Sequence, residues 1–103
     1  MGQWYRVVEA EKLPPGKGGE FIAGERIVAL FNVDGQFYAL DGICPHQGGP
    51  LGKGTLTGSV VTCPWHGFQF DVRTGQHQIS RTLIQPTFPT KVEDGAVWVE
   101  LPG

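Results

Sequence analysis

The chain has 103 residues, a formal net charge of -2 and a pI near 5.8. That is room for one domain with a modest core, and it lacks the basic footprint that nucleic acid or an anionic membrane surface requires. With no apolar run long enough for an anchor, no leader pattern in the first twenty residues and only two cysteines, the expected setting is the cytoplasm and the expected partners are proteins.

In chain order, residues 4–9 are rich in β-branched and aromatic side chains and predict a first strand, ended by the breaker-rich LPPGKGG. A short strand is expected over 20–22. Residues 26–32 and 36–41 flank Asp34-Gly35, a strong hairpin signal because the turn needs positive φ. A second, shorter hairpin is expected from 55–57 and 59–62 about Gly58. Residues 68–71 predict a strand, turned by Arg73-Thr74-Gly75, with 76–79 returning beside it. A last hairpin spans 91–93 and 96–100 across Asp94-Gly95. Short strands with regular turns and no amphipathic helix pattern predict an all-β fold, a small antiparallel sandwich or barrel formed as a single domain over 1–103.

The hairpins serve the stretch from Cys44 to Phe70, CPHQGGPLGKGTLTGSVVTCPWHGFQF, which holds both cysteines and two of the three histidines. Its pattern is C-x-H from Cys44 and His46, then C-x2-H from Cys63 and His66, with residues 47–62 between. The pairs are spaced too closely for a helix face, and Pro45 and Pro64 interrupt regular backbone. Two tight loops therefore each offer one thiolate and one imidazole. Such a set suits zinc, or iron with inorganic sulfide. A Cys44–Cys63 disulfide would leave both histidines unexplained, and zinc sites usually pair Cys with Cys and His with His. GGPLGKG superficially suggests a phosphate loop, but Gln47 and Gly54 stand where its first glycine and its hydroxyl belong.

CPH followed by CPWHGFQF resembles the Rieske-type ferredoxins and the Rieske domains of ring-hydroxylating oxygenases. The resemblance implies one [2Fe-2S] cluster per chain, with Cys44 and Cys63 on one iron and His46 and His66 on the other, in a cluster-binding part at about 42–70 built from two loops. It also implies a one-electron carrier and not an enzyme. The chain would link a flavoprotein reductase to a terminal oxygenase, with no nucleic acid or membrane partner. Two alternatives from other classes are the small Rieske subunit of an NAD(P)H-dependent nitrite reductase and a zinc-binding structural module.

Replacing two thiolates by neutral imidazoles makes the oxidised centre less negative and easier to reduce than an all-cysteine cluster. Within the Rieske range of about -150 to +300 mV the sequence points to the low end. High-potential members carry an extra cysteine in each loop and a serine after the second His-Gly, whereas here Phe68, which cannot donate a hydrogen bond, follows Gly67. Family members also place proline in a third loop over the cluster; Ser80-Arg81-Thr82 occupies that region here. Trp65 is expected to shield the cluster, to join the docking face or to sit in the core, the glycines at 48, 49, 52 and 54 to pass close to the cluster or to serve as turn glycines, and His77 to lie at the surface.

Overall fold

The computed structural model describes residues 2–43, 49–65, 67–80 and 82–102. β1 (Gln3–Glu9) leads through a 3-10 turn to β2 (Gly18–Ala23), β3 (Arg26–Val33) and β4 (Gln36–Asp41). A second 3-10 turn, Leu51–Lys53, precedes β5 (Thr55–Thr57), β6 (Val60–Thr62) and β7 (Gln69–Asp71). The chain ends with β8 (Thr87–Phe88), β9 (Thr90–Glu93) and β10 (Ala96–Leu101).

These strands form three antiparallel sheets, ordered β1-β10-β9, β2-β3-β4-β8 and β5-β6-β7. The four-stranded sheet lies between two cores, and β3 builds both. Its apolar run IVALF alternates across the sheet, so that Val28 and Leu30 join Ala39, Val97 and Val99 on one side. Ala29 and Phe31 join Leu40, Leu51, Val61 and Phe70 on the other. Strands buried on both faces lose the polar alternation of a surface strand, which is how this segment reads.

Both Asp-Gly turns form as expected. Asp34 and Gly35 have φ of 51° and 91°, and Asp94 and Gly95 have 54° and 75°, the double positive φ that a tight hairpin needs. The first turn is reinforced from inside, because buried Asn32 accepts from Gly35 N at 2.8 Å and donates to Leu13 O at 2.8 Å.

Three expectations shift. β2 is longer than 20–22 and begins at Gly18 and Gly19, because Gly18 pairs with Phe31 where a β-carbon would run into the phenyl ring. The two glycines thus belong to the strand and not to the preceding loop. β8 was not expected, since Pro86 and Pro89 bracket it and leave only a two-residue ladder. Residues 76–79 lie beside β7 but make only isolated bridges, Phe70 with His77 and Gln76 with Ile84. Side chains divert that segment. His77 Nδ1 accepts the amides of Ile79 and Ser80, both at 3.0 Å, and Gln76 Nε2 donates to Ser80 O at 2.9 Å.

Candidate metal centre

The four-stranded sheet and the small sheet each end in one of the two ligand loops. β4 delivers the chain to Ile43, and an antiparallel bridge between Ile43 and Pro50 closes the first loop at its base. β6 runs directly into Cys63, whose amide donates to Phe68 O at 2.7 Å and closes the second. The β5–β6 hairpin sets the separation between them. Cys44, His46 and His66 lie outside the described residues, as do Pro45, Gln47, Gly48 and Arg81. Of the four expected ligands the structure therefore describes Cys63, and among the described residues there is no group of three or more metal-ligating side chains.

Cys63 is 1% exposed and packs in the second core with Leu51, Val61 and Phe70. Gly49, at the return of the first loop, lies against it. A β-carbon on Gly49 would stand 3.0 Å from the Cys63 sulfur and 3.0 Å from Cβ of Trp65. The backbone of one loop thus reaches the thiol of the other, an approach that a side chain would obstruct. Gly52 and Gly54 face elsewhere, toward β2 and β6. These residues fit an iron-sulfur centre: a soft sulfur donor sits in an apolar shell, at the point where the two loops meet.

The rim is apolar. Trp65 is 49% exposed and Ile43 is exposed beside the base of the first loop, so Trp65 belongs to the surface and not the core. A cleft of about 310 Å³ borders the second loop, lined by Gly67, Phe68, His77, Ile79, Ser80 and Leu83. His77 is half-buried, not a surface residue as expected, with its ring edge-on to Phe68 at 5.1 Å and Phe70 at 5.2 Å. Farther along, the turn after β7 is held by Asp71, which accepts from Arg73 N, Nε and Nη2 at 2.9–3.1 Å. Those bonds outweigh partial burial and hold the Asp71 carboxyl below its usual range.

Two contributors were not foreseen, Gln85 and Asp41. Gln85 is buried and its side chain donates to Asp41 O and Ile43 O, each at 2.7 Å. Asp41 Oδ1 accepts the amide of Ile43 at 3.1 Å. The local signal at Gln85 was slight: a polar residue between Ile84 and Pro86 in an otherwise strand-like run.

Residues 3–89 match the family model for the Rieske [2Fe-2S] domain. The chain belongs to the Rieske [2Fe-2S] domain family. A Rieske domain carries a [2Fe-2S] cluster, which is accordingly the cofactor. Among curated relatives, the ferredoxin component of an alkene monooxygenase system from Xanthobacter autotrophicus is 38% identical over 98 residues, covering 94% of this chain and 80% of that protein. Among solved structures, the complex of reduced oxygenase and oxidized ferredoxin in carbazole 1,9a-dioxygenase contains a chain with a TM-score of 0.84 and 35% identity, covering 93% of this chain and 91% of that one. The putative NADH-dependent nitrite reductase small subunit from Mycobacterium tuberculosis has a TM-score of 0.89 at 22% identity, covering 100% and 98%, a likeness of fold alone. No helix among the described residues is long and apolar enough to cross a membrane.

Proposed function

We propose that Cys44 and Cys63 hold one iron of the Rieske cluster and His46 and His66 the other, in a single domain over 1–103 whose cluster-binding part spans about 42–70. The observation that carries this reading is buried Cys63 with the backbone of Gly49 against its sulfur, where the loop of the Cys-x-His pair meets the loop of the Cys-x2-His pair. When bound, the cluster supplies reversible one-electron reduction. The protein residues hold it, exclude water from the Cys63 side and present the histidine loops to a partner.

The chain is a one-electron carrier, taking electrons from a flavoprotein reductase and passing them to a terminal oxygenase in the cytoplasm. The ferredoxin components and the ferredoxin–oxygenase complex among its relatives support this assignment. So does the apolar rim of Ile43 and Trp65, which suits a small, short-lived docking contact.

Purified protein should contain iron and acid-labile sulfide in equal amounts, absorb in the visible, bleach with dithionite and then reduce a Rieske oxygenase. Colourless, zinc-loaded protein that ignores dithionite would exclude the reading. Co-purification in a fixed stoichiometric complex would favour an enzyme subunit over a mobile carrier.

A further inference from the structure

We propose that Gln85 is a positioning residue for the cluster, setting the point from which the first ligand loop leaves the sheet; this rests on the cluster reading above. β8 pairs with β4 through Ala39–Phe88 and Leu40–Thr87, so the next residues opposed are Asp41 and Pro86. Asp41 N donates to Pro86 O at 2.9 Å, but proline has no amide with which to return the bond. The Gln85 side chain supplies the missing donor, with Nε2 at 2.7 Å from Asp41 O.

The same Nε2 also donates to Ile43 O at 2.7 Å, beyond the end of the strand. Ile43 N donates to Asp41 Oδ1, so both polar backbone groups of the residue bonded to Cys44 are held by side chains. Gln85 N in turn donates to Gly75 O at 2.7 Å, in the turn that follows β7. One residue therefore joins the strand entering the first loop to the turn beyond the strand leaving the second.

This arrangement has a cost. Gln85 is 1% exposed, and its Oε1 is buried without a hydrogen-bond partner among the described residues. An apolar residue of similar size would avoid that penalty, so the two donated bonds are what glutamine contributes here. Gln85→Met removes those bonds and the orphaned oxygen together. The part-buried carbonyls of Asp41 and Ile43 then lose this donor, so the exit of the first loop loosens.

The experiment uses holoprotein and three variants, Gln85→Met, Pro86→Ala and the double variant. The readouts are the rate of cluster loss to a chelator, the midpoint potential and the EPR g values of the reduced protein. Pro86→Ala restores a backbone donor for Asp41 O but none for Ile43 O. Gln85→Met should lose its cluster roughly tenfold faster with shifted g values, and adding Pro86→Ala should not restore either. Wild-type rate and spectrum in Gln85→Met, or full recovery in the double variant, would overturn the proposal and leave Gln85 a mender of strand pairing. If Gln85→Met does not accumulate, the double variant compared with Pro86→Ala isolates the Ile43 bond, and equal rates there overturn it. Wild-type protein without iron and sulfide would instead defeat the cluster reading itself.

Discussion

Gly49 lies against Cys63 so closely that a methyl group on the glycine would meet the sulfur at 3.0 Å. Gly49→Ala must therefore push the first loop away from the second or displace the Trp65 side chain. Overpacking of this kind costs about 1–3 kcal/mol. The variant should show a lower melting temperature and faster cluster loss under chelator; unchanged retention would mean the loops tolerate separation.

Removing the cluster should affect the loops before it affects the sheets. Metal-ligand bonds form only in the folded chain, so their free energy contributes to the fold. In apoprotein, or in Cys63→Ser, amide exchange should accelerate over 42–54 and 63–67 while amides of β1 and β10 keep most of their protection. Protection in the loops equal to that of holoprotein would contradict this.

His77 ties the segment from 77 to 80 to the strand beyond the second loop. Its Nδ1 accepts two amides and its ring packs edge-on against Phe68 and Phe70. His77→Phe keeps an aromatic ring but cannot accept those amides, a loss of about 1–2 kcal/mol. Exchange at Ile79 and Ser80 should quicken specifically, which amide-resolved NMR can read.

Acid should weaken the turn after β7. Arg73 holds the Asp71 carboxyl below its ordinary value of 3.8, so the folded pKa lies beneath the unfolded one. The contribution to stability is then present above the unfolded value and is lost as pH falls through the folded one. Wild type should melt above Asp71→Asn at neutral pH, and the difference should close as the pH drops below 3.8. A difference independent of pH would assign the effect to the side chain's shape and not its charge. Arg73 is exposed while Asp71 is only partly buried, so the gap should be small and should shrink with added salt.

Trp65, at 49% exposure beside the second loop, is the large apolar group best placed to meet a partner. Aromatic anchors at interfaces typically contribute about 2 kcal/mol or more. Trp65→Ala should raise the carrier concentration needed for half-maximal oxygenase turnover by roughly thirtyfold, leaving the visible spectrum intact. A changed spectrum would instead assign Trp65 to the cluster environment.

What the sequence made legible was local. Asp34-Gly35 and Asp94-Gly95 announced their hairpins because the turn conformation is encoded in two adjacent residues. The Cys-x-His and Cys-x2-His pairs are likewise a local signal; the family match supplies the cluster, and three of the four residues lie outside the described part of the chain. β8 escaped because prolines flank it and its partner β4 lies far away in the chain. Gln85 escaped more completely. Its bonds reach back to Asp41 and Ile43, and nothing in the neighbouring letters reports a contact that exists only once β8 has paired with β4. His77 was placed at the surface because its acceptor role depends on a turn that it helps create.

β3 separates two interiors that use opposite sides of the same eight residues. Val28 and Leu30 look toward the sheet of β1, β9 and β10, whereas Ala29 and Phe31 look toward the redox end. Such a partition wall lets the far compartment be redesigned, for immobilisation or fusion, without touching the chemistry. It also means that a fault in the wall itself is felt in both rooms at once.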